Sequence, residues 1–111
     1  MATTITSPDT RILEDTDADK QVEPPYHLIL LDDDAHSYPY VIGMMAAIFG
    51  YPRDKGFAIA CIVDKDGQAI VMTGSRAKME LKQEAIHAYG ADPLMETSAG
   101  SMSAIIEPAP C

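Results

Sequence analysis

The sequence has few basic side chains. Eight Lys and Arg stand against 17 Asp and Glu, which gives a formal net charge of -9 at pH 7. Because such a surface repels phosphate over much of its area, the composition argues against a nucleic-acid ligand. A cationic partner is a better electrostatic match. The free α-amino group of a peptide, with a pKa of about 7.7–8.0, is one such cation.

Cysteine is also scarce, and long apolar runs are missing. Cys61 lies in an apolar helical stretch and Cys111 at the end of the sequence, which is unlike the disulfide framework of a secreted domain. No run approaches the ~20 apolar residues needed to cross a bilayer, and the first residues lack the features of a signal peptide. These absences predict a soluble protein of the reducing cytoplasm with no membrane partner.

A chain of 111 residues has room for one small domain around a single hydrophobic core. Residues 1–24 hold few sizeable apolar groups among Thr, Ser, Pro and acidic residues, too few to bury the surface that would order them. We therefore predict a flexible acidic N-terminal extension over 1–24 and a folded core domain over 25–109.

The spacing of apolar residues within 25–109 predicts six elements. Alternating or β-branched segments predict strands, and apolar residues at helical spacing, bounded by Ser, Gly and Pro, predict helices. The predicted order is strand, helix, helix, strand, helix, strand, over residues 26–31, 39–49, 54–63, 68–73, 76–89 and 101–107. This order favours an α+β domain in which a three-stranded antiparallel sheet packs against three helices.

Each predicted helix has one apolar stripe, which we expect to pack against the sheet. In the first helix the stripe consists of Val41, Met44, Met45, Ile48 and Phe49. In the second, residues at helical spacing are Phe57, Ala60, Cys61 and Asp64. In the third, the residues that share a face are Ala77, Leu81, Ala85 and Ala88.

Several motifs resemble the ClpS family of adaptor proteins over about residues 25–109. They are Pro24-Pro25-Tyr26, Asp32-Asp33-Asp34, Pro39-Tyr40-Val41-Ile42, Gly67-Gln68-Ala69 and Ile106-Glu107-Pro108-Ala109. The resemblance implies an adaptor without a cofactor and not an enzyme. Such an adaptor binds a free N-terminus bearing a bulky apolar residue, of the Leu, Phe, Tyr or Trp type. It delivers the substrate to a Clp AAA+ unfoldase of the ClpA or ClpC type.

The resemblance also implies which residues perform each task. An α-ammonium group has three donors and needs acceptors from several directions, and the residues implied as its acceptors are Asp32, Asp33 and Asp64. The residues implied to line an apolar pocket for the first side chain are His36, Tyr38, Val41, Met44, Ala60, Val63 and Met102. A contact with the unfoldase is implied for Lys82, with Glu80 beside it. The extension 1–24 resembles the N-terminal extension of the family, which implies that it helps substrate handover by engaging the unfoldase.

The sequence departs from the family pattern at several of these positions. Asp32 stands where the family has Asn, Asp64 where it has a pocket His, and Tyr38 where a Met guards the pocket. Ala77 replaces a Glu near the unfoldase contact, and Glu80 is expected to compensate. The loop from 92 to 100 is longer than in the shortest members.

These residues are also compatible with purely structural roles. Three adjacent acids in a loop are often a solvated cluster that caps a helix. Apolar residues at helical spacing, Val41 and Val63 among them, often belong only to the core. Lys82 could be an ordinary solvated charge on a helix.

Some features of the sequence are also compatible with other function classes. Five acids could bind a divalent metal, namely Asp32, Asp33, Asp34, Asp64 and Asp66, but Ile62 interrupts the spacing of a calcium loop. An N-terminal-residue binder without a protease partner also remains possible. Catalysis is not indicated, because Cys61 lies in an apolar stretch and neither a serine elbow nor a phosphate loop occurs.

Overall fold

The computed structural model of the protein describes residues 24–33, 35–95 and 98–110. The predicted N-terminal extension therefore lies outside the described residues, apart from Pro24. The elements, in chain order, are β1 (Tyr26–Leu31), α1 (Tyr38–Phe49), α2 (Arg53–Asp66), β2 (Gln68–Gly74), α3 (Arg76–His87) and β3 (Ser103–Pro108). Their order is the predicted one. Within the described residues no helix is both long and apolar enough to cross a membrane.

The three strands form one antiparallel sheet in the order β2-β1-β3. Because side chains alternate along a strand, Leu28 and Leu30 of the central β1 share a face, and both are fully buried. Ile29 points to the other face, where the pairing places it between Ile70 of β2 and Ile105 of β3. The predicted α+β fold with a three-stranded antiparallel sheet and three helices is confirmed.

Methionine fills much of the space in the core. The largest fully buried side chains are Leu28, Leu30, Met44, Met45, Met79, Ile86 and Met102. The flexible, unbranched methionine side chain fits irregular gaps where elements of different direction meet. Met102 lies just before β3 and is fully buried with the residues of α1, so the end of the 88–102 loop is anchored in the core.

Two predicted helix faces are wrong. In α2 the buried residues are Gly56, Ile59, Ala60 and Val63, whereas Phe57 is 51% exposed. In α3 the buried residues are Met79 and Ile86, whereas Leu81 is 66% exposed. In α3 the small alanines share a face at helical spacing, but they do not determine which face packs against the sheet. Met79 and Ile86 determine it, because their large side chains bury more apolar area there.

Two glycines set where α2 lies. A Cβ at Gly56 would come within 3.2 Å of the Ile42 Cα, so glycine lets α1 and α2 approach closely. Gly67 ends α2 in a left-handed conformation, with φ of 85°, and its N–H donates to the Val63 carbonyl. Helix α2 continues to Asp66, beyond the predicted end at Val63, so Asp64 lies inside its last turn.

Candidate functional site

The end of β1, the start of α1 and the end of α2 meet at one edge of the domain. The Asp32 N–H, just after β1, donates to the Gly67 carbonyl at the end of α2, over 3.0 Å. Tyr38, the first residue of α1, donates from its hydroxyl to Asp64 in the last turn of α2. These contacts bring the three predicted amine-binding residues, Asp32, Asp33 and Asp64, to the same edge.

Asp33 is a partly exposed carboxylate with two donors from its own loop. Its Oδ1 accepts from the Ala35 N–H at 3.1 Å and lies 2.8 Å from Nδ1 of His36. The side chain remains 40% exposed. Because a carboxylate has about four acceptor directions, these contacts leave Asp33 able to accept a further donor from solvent or from a ligand.

His36 connects Asp33 to the loop that precedes β3. Its side chain is only 3% exposed, and its ring lies 4.5 Å from the ring of Tyr40. Nε2 is 2.8 Å from the Gly100 carbonyl oxygen, and Ser98 Oγ is 3.2 Å away. The Gly100 carbonyl can only accept, so Nε2 is the donor in that contact, while Nδ1 lies against the Asp33 carboxylate. His36 therefore orients Asp33, and its place in the side-chain pocket stays a prediction.

Tyr38 and Asp64 form a hydrogen-bonded pair across the two helices. The Tyr38 hydroxyl donates to Asp64 Oδ2 over 2.8 Å. This bond, helped by desolvation and by the charge of Asp64, raises the pKa of Tyr38 to about 12. The ring of Tyr38 also meets the ring of Phe57 edge-on, at a centroid distance of 5.6 Å. The phenol therefore stays protonated, and remains a donor, through the neutral pH range.

The predicted apolar pocket residues belong to the core of the domain. The residues concerned, each at most 4% exposed, are Val41, Met44, Ala60, Val63 and Met102. Tyr38 is half-buried and packs against the cluster that contains them. They are therefore brought together in the core against which Tyr38 packs, in contact with other protein atoms.

A shallow groove lies on the other side of Phe57. It has a volume of about 500 Å³ and is lined by Ile42, Arg53, Asp54 and Phe57. None of the predicted site residues lines it. Arg53 and Asp54 give its lining charges of both signs, and Phe57 is the lining residue that also contacts the ring of Tyr38.

The loop between α3 and β3 is tied to the start of α1 through Asp92. The buried Asp92 carboxylate accepts from the Ser37 N–H at 2.6 Å and from the Leu94 N–H at 2.8 Å. Burial by itself would raise the pKa of Asp92, but these amide donors outweigh burial, and the pKa lies below its ordinary value. A charged Asp92 therefore satisfies amides at the N-terminus of α1, where negative charge is favourable.

The two predicted unfoldase contacts lie on α3, each with a partner in the chain. Lys82 Nζ donates to the Ile48 carbonyl at 2.8 Å and lies 5.6 Å from the ring of Phe49. Glu80 accepts from Arg76 one turn earlier, at 3.1 Å. Lys82 thus caps the C-terminal end of α1, which is a structural task independent of any partner.

The described residues contain no group of three or more His, Cys, Asp or Glu side chains arranged to hold a metal ion. Asp34 is outside the described part of the chain. The acidic edge instead shows Asp33 and Asp64 engaged with the donors His36 and Tyr38.

Sequence reasoning missed several residues that shape this edge. Phe57 is two helical turns before Asp64, so the spacing predicted that the two share a face of α2, but not that this face meets Tyr38. Asp92, Ser98 and Gly100 gave no such signal, because their Pro and Gly neighbours indicate only a loop. Their contacts with 36 and 37 span up to 64 positions, which only the fold brings together.

Comparisons with known proteins agree with this fold. The family described as "ATP-dependent Clp protease adaptor protein ClpS" matches residues 21–96. A protein named ATP-dependent Clp protease adapter protein ClpS from Streptomyces coelicolor is 32% identical over 81 residues, covering 73% of this chain and 84% of that protein. One of the same name from Streptomyces avermitilis is 32% identical over 92 residues, covering 78% and 88%.

A solved structure, Agrobacterium tumefaciens ClpS2 bound to L-phenylalaninamide, has the same fold. Its TM-score is 0.67 at 22% identity, and the match covers 78% of this chain and 98% of that one. The family match covers more than half of the chain, and β3 lies beyond its end. The family consists of substrate adaptors and not of enzymes. On this evidence the chain belongs to the ClpS family of adaptor proteins of the ATP-dependent Clp protease.

Proposed function

We propose that this chain binds free peptide N-termini whose first residue is bulky and apolar, and delivers them to a Clp AAA+ unfoldase in the cytoplasm. The observation that carries the proposal is the edge where β1, α1 and α2 meet. There, Asp64 is joined to Tyr38 of α1, Asp32 and Asp33 follow β1, and Tyr38 packs against the apolar core. The amine-binding role of Asp32, Asp33 and Asp64 is part of this proposal.

The chemistry of such a ligand suits this edge. An α-ammonium group has three N–H donors, and each charge-assisted hydrogen bond contributes roughly 1.5–3 kcal/mol. Burying a Leu or Phe side chain adds about 1.5–3 kcal/mol. Together these contributions are sufficient for roughly micromolar binding, whereas either one alone is not. Agrobacterium tumefaciens ClpS2, which shares the fold, is bound to L-phenylalaninamide in its structure.

The first side chain would contact the apolar residues beneath Tyr38. Tyr38, Val41, Met44, Ala60, Val63 and Met102 belong to one packed cluster. His36 adds to this proposal by orienting Asp33 and by joining the site to the loop before β3. A small first residue would leave this surface unfilled, so we expect it to bind poorly.

Delivery needs a second surface, which we place on α3. Lys82 and Glu80 lie on this helix, and Lys82 reaches the Ile48 carbonyl near the end of α1. A stand-alone binder is the second candidate function, because Lys82 is already held by the Ile48 carbonyl and Ala77 has no charge to offer a partner. A pull-down of the full chain with a purified ClpA-type or ClpC-type ATPase separates the two functions.

The proposed ligand class is tested with peptides that differ only in residue one, each with a free or an acetylated amine. We expect the full chain to bind free peptides beginning with Phe or Leu, and to bind the acetylated forms and a Gly peptide at least tenfold more weakly. Asp64→Asn should weaken binding, and the matched control Asp54→Asn, at the other end of α2, should not.

Two results would contradict the proposal. Equal binding of free and acetylated peptides would remove the amine from the recognised group. Binding that appears only with added calcium would favour the divalent-metal alternative.

A further inference from the structure

Tyr38 has both features that the proposed ligand would bring to the acidic edge. It offers an aromatic ring and a hydrogen-bond donor, and the chain itself uses both. The hydroxyl donates to Asp64 at 2.8 Å, and the ring meets Phe57 edge-on at 5.6 Å. Since Phe57 and Asp64 are about two turns apart on α2, the Tyr38 side chain lies along that helix.

The surface beneath this ring is closed to solvent. Ala60 lies between Phe57 and Asp64 on the same side of α2 and is only 2% exposed, although both neighbours are exposed. Val41, one turn after Tyr38 on α1, is 4% exposed. Tyr38 packs against the cluster that contains Ala60 and Val41. Its side chain therefore covers the apolar surface that the first side chain of a ligand would contact.

We infer that the Tyr38 side chain competes internally with the ligand, both for Asp64 and for the apolar surface against which Tyr38 packs. Its hydroxyl holds Asp64, and its ring covers the apolar surface until a free N-terminus displaces both. The inference rests on the proposed function and deepens it. The exchange favours the ligand, because an ammonium and a carboxylate form a stronger hydrogen bond than a neutral phenol and a carboxylate.

Because Tyr38 gives up two contacts when it is displaced, a ligand that replaces only one of them should bind weakly. A peptide with a free amine and a bulky apolar first residue replaces both contacts that Tyr38 gives up. A peptide with a blocked amine leaves Asp64 without a donor, and a peptide beginning with Gly leaves the apolar surface uncovered. Each of these therefore replaces only one of the two contacts.

The test compares Tyr38→Phe with the wild type in the binding of a Phe-initiated peptide at pH 7. The variant keeps the ring but lacks the donor to Asp64, so we expect binding about two- to tenfold tighter, as one modest hydrogen bond predicts. Tyr38→Met should bind more tightly as well. In the background of Asp64→Ala, where the hydroxyl has lost its carboxylate acceptor, Tyr38→Phe should change affinity by less than about twofold.

Tyr26→Phe is the matched control, because it removes a hydroxyl from β1 and not from the α1–α2 pair, and it should leave affinity unchanged. Thermal melting confirms that each variant is folded. If the wild type binds and Tyr38→Phe binds equally or more weakly, the competition is overturned while the proposed function stands. If the wild type binds no free N-terminus, the proposed function fails, and this inference fails with it.

Discussion

A single phenol hydroxyl links the two helices at the acidic edge. Asp64 lies near the C-terminal end of α2, where the helix dipole disfavours negative charge, and Asp66 adds a second acid in the same turn. The donor from Tyr38 offsets part of this unfavourable setting for the Asp64 carboxylate. The pair is therefore a local electrostatic arrangement whose strength can be measured by titration.

Tyr38 is expected to ionise only at strongly alkaline pH. The difference in phenolate absorbance between the wild type and Tyr38→Phe should titrate near pH 12, because the bond to Asp64 raises the pKa of Tyr38 to about 12. The bond contributes stability below about pH 10, the ordinary range of tyrosine, and this contribution is lost as the pH rises through 12.

Asp64→Asn tests whether Asp64 raises the pKa of Tyr38. Removing the charge should return the titration of Tyr38 towards the ordinary value of about 10. Asp54→Asn, at the start of α2, should leave it unchanged. A Tyr38 titration that is the same in the wild type and in Asp64→Asn would show that Asp64 is not the cause.

Among the elements, the loop between α3 and β3 does more than connect them. Through Asp92 it satisfies the Ser37 N–H at the N-cap of α1, and through Gly100 it accepts from His36. The Ser37 side chain in turn accepts from the Tyr40 N–H, so the first turn of α1 is capped from both sides. This loop thus supports the helix that presents Tyr38.

Asp92→Ala should destabilise the domain by about 1–3 kcal/mol, because it leaves the partly buried Ser37 and Leu94 amides without their acceptor. The measurement is urea unfolding at pH 7. The pKa of Asp92 is lowered, so its contribution should be present above about pH 4 and be lost as the pH falls through the lowered pKa.

Two variants control this measurement. Asp92→Asn keeps one acceptor oxygen and should cost less than Asp92→Ala. Asp66→Ala, an exposed acid at the end of α2, should change stability by less than about 0.5 kcal/mol. If Asp92→Ala costs no more than Asp66→Ala, the cap on α1 is not a source of stability.

The helices and strands also show which features local sequence patterns can predict. Strand and helix order followed from the spacing of apolar residues and from Gly and Pro, and the ends of α2 and β3 shifted by only a few residues. The buried faces of α2 and α3 did not follow, because spacing tells which residues share a face and not which face meets the sheet. For α3, Met79 and Ile86 decided the direction and left Leu81 exposed.

For the whole molecule, binding and delivery are expected to be separable tasks. The described domain contains the acidic edge and α3, whereas the extension lies N-terminal to β1. A variant that lacks residues 2–23 should bind a Phe-initiated peptide with unchanged affinity, because none of the proposed site residues is removed. We expect it to lose stimulation of substrate degradation by the unfoldase–protease.

The control replaces residues 2–23 by a Gly/Ser segment of equal length, which keeps the reach of the chain but not its composition. If this control restores delivery, only length matters. If the truncated chain delivers as well as the wild type, the extension has no part in handover. Binding measured on the same samples shows that the domain is intact.

The amino-acid sequence by itself determined the order of the elements, the acidic surface and the family, since each depends on composition, local spacing or motifs. The tertiary structure alone decided that Tyr38 reaches Asp64, 26 positions later, and that His36 reaches Gly100, 64 positions later. Such contacts depend on where strands and helices pack. Local spacing carries no information about that, because many side-chain directions are compatible with the same periodic pattern.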